Sequence, residues 1–176
     1  IPVVIAGRPN VGKSSLLNMI LGQKDLVKTG SRPGVTQAIN FFIANDNSSF
    51  VDLPGFGYAK LSKETKSGFM PMIRRYLSGR KNIALVFLLV DARRVPGDFE
   101  TDVITLLSEI EKPVAVIATK CDKLSKNRLR ESLKENPNPT ILDPGANIAL
   151  SSTMAAPAAA APVQATMITQ PVSEDF

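Results

Sequence analysis

Histidine is missing from this 176-residue chain, which excludes histidine general bases and histidine metal sites. Any metal must be held by oxygen ligands, which points to Mg²⁺. The single cysteine, Cys121, excludes an intramolecular disulfide and fits a reducing compartment. Long apolar runs are missing too. The longest, Ile83 to Val90, is eight residues, the size of a strand; a membrane span needs roughly 18–20. Cations are missing from the end of the chain. All 21 Lys and Arg precede residue 151, against 14 Asp and Glu there, and the last 26 residues carry only Glu174 and Asp175. The body is therefore +7 and the tail −2. A basic body suits phosphate-rich partners such as RNA or DNA, and it also suits plain solubility. The chain opens at Ile1 with no initiator Met, so no targeting segment can be read from it.

The residues that are present fit one well-buried domain, with 44% hydrophobic and 21% charged side chains. Gly7-Arg8-Pro9-Asn10-Val11-Gly12-Lys13-Ser14 fits Gly-x-x-x-x-Gly-Lys-Ser/Thr, a loop whose backbone N–H groups surround a nucleotide's phosphates. Gly7 and Gly12 permit the tight path, Lys13 would place its ammonium on the β/γ-phosphates, and Ser14 would ligate Mg²⁺. Val3 to Ala6 reads as a buried parallel strand entering the loop. Ser15 to Leu21 reads as the helix leaving it, its N-terminus aimed at the anion.

Downstream, Gly22 to Gly34 is a polar loop leading into a strand over Ala38 to Ile43. The turn Asn45-Asp46-Asn47 and a second strand, Ser48 to Asp52, complete a hairpin. Ser62 is placed to cap a helix reaching Ser78, with Pro71 expected to kink it or delay its start. Ile83 to Val90 is a buried strand, Asp98 opens an amphipathic helix, and Val114 to Ala118 is another buried strand. Arg128 to Lys134 is a short basic helix, and Ile148 to Leu150 a last strand. Strands alternating with helices predict an α/β fold with a mostly parallel sheet and helices on both faces. Ligands on such sheets sit at the carboxyl ends of the strands, where Gly7, Asp52, Asp91, Thr119 and Ser151 fall. From Met154 the chain turns Ala- and Pro-rich and reads as a flexible extension.

The loops carry the chemistry jointly. Thr36 offers a second hydroxyl to Mg²⁺ and an N–H to the γ-phosphate, although a single loop threonine is usually a turn residue. Asp52-Leu53-Pro54-Gly55 supplies a carboxylate to the metal through water and the Gly55 N–H to the γ-phosphate; alone it is merely a good turn. In Thr119-Lys120-Cys121-Asp122, a buried Asp122 would accept from guanine N1–H and its exocyclic amine, a donor pair adenine lacks. Lys120 can pack its stem against the base. GTP is thus favoured over ATP, with an ATP-dependent P-loop enzyme as the competing reading.

Together these segments resemble the EngB family of ribosome-biogenesis GTPases, within the translation-factor-like P-loop GTPases. The resemblance runs through Ala6 to Asn18, Pro33 to Phe42, Val51 to Lys60, Leu89 to Arg93, Thr119 to Leu124 and Ser151-Ser152. Pro33-Gly34-Val35-Thr36-Gln37 and Asp52-Leu53-Pro54-Gly55-Phe56-Gly57-Tyr58-Ala59 are its most specific parts. It covers residues 1–152, a GTPase domain, and leaves 153–176 as an Ala/Pro-rich extension. It implies a small-GTPase fold and a GTP-hydrolysing switch assisting assembly of the large ribosomal subunit. The implied setting is the bacterial cytoplasm or an organellar matrix, mitochondrial or plastid.

Carried over residue by residue, the resemblance assigns Gly7, Arg8, Pro9, Asn10, Val11, Gly12, Lys13, Ser14 and Ser15 to the phosphates, with Gly34 beside them. It assigns Ser14 and Thr36 to Mg²⁺, with Asp52 acting through water. Thr119, Lys120 and Asp122 go to guanine, and Ser151-Ser152 to backbone contacts with the base. Asn10, Lys13, Thr36 and Gly55 form the catalytic set.

The sequence departs from the family pattern in two places. The helix expected after Ser151-Ser152 has no counterpart in the Ala/Pro tail, and Cys121 stands where the family has Ala. Phe56 occupies the position where many small GTPases keep a water-orienting glutamine, so intrinsic hydrolysis is expected to be slow. Asn10 suggests a K⁺ site, because related GTPases use an Asn there to hold K⁺ in place of an arginine finger. Lys24, Lys28, Arg32, Lys60, Lys63, Lys66, Arg74 and Arg75 flank the switch loops and could meet rRNA phosphates. The expected partners are GTP, a large-subunit precursor with its rRNA, and other assembly factors, with no membrane contact and a monomer off the ribosome. A GTP-binding structural factor with negligible turnover is the alternative.

Overall fold

A computed structural model of the chain describes residues 1–23, 38–44, 48–55, 63–135 and 165–171. Its elements run β1 (Pro2–Gly7), α1 (Lys13–Ile20), β2 (Ala38–Ala44), β3 (Ser48–Asp52), α2 (Lys63–Gly79), β4 (Leu85–Asp91), α3 (Asp98–Glu109), β5 (Val114–Thr119), α4 (Lys126–Glu135) and β6 (Ala165–Pro171). The strands form one sheet in the order β5-β4-β1-β3-β2-β6. β1 pairs in parallel with β3 and β4, and β4 with β5. β2 runs antiparallel to β3, as the hairpin reading expects, and antiparallel to β6.

Strand periodicity explains why the central strands read as unbroken apolar runs. Val4, Ala6, Leu88 and Val90 face one side, where Ile73, Tyr76 and Leu77 of α2 and Val103, Leu106 and Leu107 of α3 cover them. Ile5 and Leu89 face the other, against Leu16, Leu17 and Leu21 at α1. A strand with helices on both faces has no polar side to alternate with. At the rim, Arg80 lies over the rings of Phe41 and Tyr76, 5.4 and 4.9 Å from their centroids, and ties the end of α2 to β2.

Two expectations change. α2 begins at Lys63 and carries Pro71 inside it, so there is no late start. A proline removes one backbone donor, and the buried Ile73, Tyr76 and Leu77 beyond it hold the helix against the sheet. The extension read as flexible contributes a seven-residue strand, β6, at the outer edge of the sheet. The sheet edge supplied the order that the segment's own composition did not promise. The strand expected at Ile148 to Leu150 and the turn Asn45-Asp46-Asn47 lie outside the described residues.

Candidate nucleotide site

The parallel register brings the strand ends to one edge of the sheet. Ile5 stands opposite Asp52, Gly7 opposite Leu89, and Asp91 opposite Thr119. Gly7 has φ +153°, and a Cβ there would lie 2.8 Å from the Leu89 carbonyl oxygen and 2.9 Å from Val11. Only glycine fits that first turn of the loop. The loop then enters α1 at Gly12, whose φ of +114° precedes the helix that starts at Lys13. Asn10 is also left-handed, at φ +58°, a conformation asparagine tolerates better than most residues.

Lys13 is buried, and its ammonium donates to the carbonyls of Gly7 at 2.9 Å and Arg8 at 3.0 Å. Burial lowers its pKa, while the charge of Asp52 opposes that shift. Asp52 is buried as well, and desolvation pushes its carboxyl up to about 6 despite the nearby Lys13 charge and a hydrogen bond from Asn40. Its Oδ1 has no hydrogen-bond partner among the described residues. An orphaned carboxylate oxygen beside the ammonium of the Gly-x-x-x-x-Gly-Lys-Ser loop suits a hydrated divalent cation. Among the described residues no cluster of three or more Cys, Asp and Glu could cage a metal, and a donor set of the Asp52 carboxylate with the expected Ser14 hydroxyl would leave most of the shell open. That is a Mg²⁺-type set, in which phosphate and water complete the shell.

The turn after β5 is fastened to the phosphate loop. Thr119 Oγ1 donates to the Val11 carbonyl at 2.7 Å and lies 3.1 Å from that of Val90. Lys120, left-handed at φ +59°, donates from Nζ to the Asn10 carbonyl at 2.6 Å and to Asp91 Oδ2 at 3.1 Å. Asp122 differs from expectation. A buried carboxylate is the expectation for reading guanine, yet its side chain is 45% exposed and paired with Lys123 at 3.1 Å. It stands in a 3₁₀ turn, Cys121–Lys123, beyond the strand end. Ser151 and Ser152, expected to face it, lie outside the described residues, as do Gly34, Thr36 and Phe56.

Gly55 is half-buried against the loop, while Ser14 is half-buried and Ser15 exposed at the start of α1. The Arg8 side chain turns to α3, where Nη2 donates to Glu100 Oε2 at 2.9 Å and Nε to Oε1. Arg8 and Glu100, with Asn10, Asp91, Arg93 and Lys120, line a pocket of about 370 Å³ beside the loop. Of the cations expected to face RNA, Arg74 and Arg75 are exposed on α2, with Arg74 paired to Glu109. The side chains of Lys63 and Lys66 and the residues Lys24, Lys28, Arg32 and Lys60 lie outside the described residues. Asp91 falls among the ligand-bearing strand ends and Leu89 to Arg93 within the family resemblance, but none of Asp91, Arg93 and Glu100 carries an assigned role in the sequence pattern. An Asp-x-Arg at a strand end was the available signal for the first two.

A family model described as 50S ribosome-binding GTPase matches residues 2–120. The probable GTP-binding protein EngB of Desulforapulum autotrophicum is 49% identical over 131 residues, 74% of this chain and 68% of that one. The chain belongs to the EngB family. An EngB relative in Geobacter sp. is 48% identical over 74% of this chain and 61% of its own. The matched part therefore spans about two thirds of these curated relatives, both of them bacterial. A crystal structure of a probable GTP-binding protein EngB superposes at a TM-score of 0.62 with 31% identity, over 77% of this chain and 78% of that one. Era in complex with MgGDPNP and a segment of 16S ribosomal RNA superposes at 0.54 with 25% identity, over 77% and 47%. The P-loop GTPase fold expected from the sequence, with its mostly parallel sheet, is thus the fold of the EngB family. Among the described residues no helix is long and apolar enough to cross a membrane.

Proposed function

We propose that this chain binds GTP with Mg²⁺, hydrolyses it slowly, and acts as a switch in assembly of the large ribosomal subunit in the bacterial cytoplasm. The observation that carries the nucleotide reading is the fastening of Thr119 and Lys120 to the carbonyls of Val11 and Asn10. The turn suited to a guanine base is thereby held at a fixed offset from the loop suited to its phosphates. Family membership and the ribosomal RNA in the Era complex favour a ribosomal partner. Bacterial relatives give the organellar setting no support.

In this reading the N–H groups of Asn10 to Ser15 hold the phosphates, Ser15 at the rim, and the Lys13 ammonium leaves the loop carbonyls for the β/γ-phosphates. The Gly55 N–H and Thr36 take the γ-phosphate, with Gly34 beside it, and Asp122 with the Ser151-Ser152 backbone takes guanine. Ser14, Thr36 and, through water, Asp52 would hold Mg²⁺, which when bound offsets charge on the β- and γ-oxygens. Phe56 cannot orient water, so unassisted turnover is on the order of 10⁻⁴ s⁻¹ or below. Asn10 would recruit K⁺ as the missing positive charge. Off the ribosome the protein is a monomer, and its basic loops meet rRNA and neighbouring assembly factors on the precursor.

Competition of GTP and ATP against labelled GDP tests the nucleotide, and a preference for ATP sinks the reading. Hydrolysis measured in K⁺ and in Na⁺, with and without large-subunit precursors, tests the switch. Rates that respond to neither favour a docked structural factor with negligible turnover. Co-sedimentation with immature large subunits must depend on the nucleotide and weaken steeply with salt.

A further inference from the structure

The segment Asp91-Ala92-Arg93 ends β4 beside the phosphate loop, and nothing in the nucleotide reading uses it. Its geometry is specific. Arg93 donates from Nε to Asp91 Oδ1 at 2.9 Å and from Nη2 to Oδ2 at 2.7 Å, and its backbone N–H reaches Oδ1 at 3.1 Å. The same Oδ2 accepts from Lys120 Nζ at 3.1 Å, and that ammonium also donates to the Asn10 carbonyl at 2.6 Å. The Asp91 side chain is only 10% exposed, while Arg93 is 43% exposed. One shielded carboxylate thus fixes an arginine fork on one side and the ammonium of Lys120 on the other.

We propose that Asp91 is the positioning residue for Lys120, and that Arg93 holds Asp91 in the orientation this requires. The inference rests on the GTP-binding reading and adds to it two residues that touch neither phosphate nor base. A lysine side chain has a flexible four-carbon stem whose rotamer freedom is lost when its ammonium is fixed. Lys120 must stretch its stem along the base while its ammonium stays on the phosphate loop. Fixing that conformation before the nucleotide arrives removes an ordering cost from binding. Asp91 does so by accepting from the same ammonium that donates to the Asn10 carbonyl. Arginine suits position 93 because its planar fork grips both carboxylate oxygens at once, which an ammonium cannot do.

The alternative is that Asp91 and Arg93 only staple the end of β4, and a double-mutant cycle separates the two. Labelled GDP is the probe, and its association and dissociation rates are measured for wild type, Asp91→Asn, Arg93→Gln, Lys120→Met and the Asp91→Asn/Lys120→Met pair. Asp91→Asn is expected to weaken binding about tenfold through faster dissociation, the size of a lost charge-assisted hydrogen bond. Arg93→Gln, at an exposed position, should give a smaller loss in the same direction. In the Lys120→Met background, Asp91→Asn should add less than about twofold, because its route to the nucleotide is already gone. The Asp91→Asn variant should raise KM for GTP and leave kcat within about twofold, the pattern of lost uniform binding. Losses that multiply in the pair, or an unchanged dissociation rate in Asp91→Asn, would overturn the inference alone. A wild type that does not bind labelled GDP would overturn the nucleotide reading and this inference with it.

Discussion

A Cβ on Gly55 would stand 2.7 Å from Lys13 Nζ and 3.1 Å from backbone atoms of Pro9. The turn after β3 is thus pressed against the phosphate loop. The Lys13 ammonium can swing away from an added methyl, but the Pro9 backbone cannot. Gly55→Ala must therefore push the turn outward by some tenths of an ångström, at the point where the Gly55 N–H would meet a γ-phosphate. The expected outcome is selective. Affinity for a non-hydrolysable GTP analogue falls at least about tenfold, equivalent to one hydrogen bond to a charged group, while GDP affinity changes little. Titration calorimetry with both nucleotides checks this, and an equal loss for the two would place the damage in the loop as a whole.

Asp52 makes a second prediction through its protonation. Its folded pKa is raised by burial to about 6, above the ordinary 3.8. Between those values the unfolded chain loses a proton that the folded chain keeps, so folding stability falls as pH rises through this window and stays low above it. Asp52→Asn removes that penalty. Without nucleotide or Mg²⁺, the variant should be more stable than wild type at pH 7.5, by about 3 kcal/mol from the shift, and equal to it near pH 3.5. Nucleotide affinity should show the opposite trend, because Mg²⁺ no longer strengthens binding in the variant. Thermal melts at the two pH values, with and without MgGDP, test both halves. A variant that is less stable at both pH values would contradict the account.

Much of this was legible in the sequence, for local reasons. Val3 to Ala6 and Ile83 to Val90 could be read as strands because being buried on both faces leaves an unbroken apolar run. Lys13 and Gly7 could be placed because a phosphate loop fixes their spacing. Arg8 shows where local reading stops. Its motif position suggests phosphate, but its side chain bonds with Glu100, 92 residues away. The same holds for Thr119, whose hydroxyl reaches Val11 across 108 residues. β6 was illegible because Ala165 to Pro171 follows an Ala/Pro tract, and what orders it is the open edge of β2 far upstream. Pairing partners are a property of the sheet, and no local pattern names them.

The bridge between Arg8 and Glu100 should stabilise the fold measurably. Glu100 is buried and takes the Arg8 fork together with the Gly97 N–H at 2.9 Å, at the start of α3. Burial raises its pKa, but hydrogen bonds from Arg8 and Gly97 outweigh that and leave it below the ordinary glutamate value. Glu100→Ala strands three donors and should cost roughly 2–3 kcal/mol. In a chain of this size that lowers Tm by about 4–12 °C. A depressed carboxyl pKa means the contribution is complete above the unfolded value and is lost as pH falls through the folded one. The gap between wild type and variant should therefore be full at pH 7 and close progressively below about pH 4. A gap that persists unchanged at pH 2.5 would assign the loss to packing instead of charge.

β6 gives the last prediction. It pairs residue for residue with all of β2, from Ala38 opposite Pro171 to Ala44 opposite Ala165. Pro171 sits at the end of the strand, where a missing N–H costs least. Deleting residues 165–171 would leave the N–H and C=O groups of β2 that point away from β3 without this partner, along an edge where Ile43 is already 38% exposed. Unpaired apolar edges recruit other edges. The deleted protein should therefore sediment as a concentration-dependent dimer or larger species, while the intact chain remains a monomer under the same conditions. Adding a peptide of the sequence Ala165 to Pro171 in excess should return the deleted protein to monomer by refilling the edge. Because Thr36 precedes the first residue of β2 by only two positions in the sequence, the same deletion should also weaken binding of a GTP analogue more than of GDP. A deleted protein that stays monomeric with an unchanged Tm would mean that β6 adds nothing to this edge.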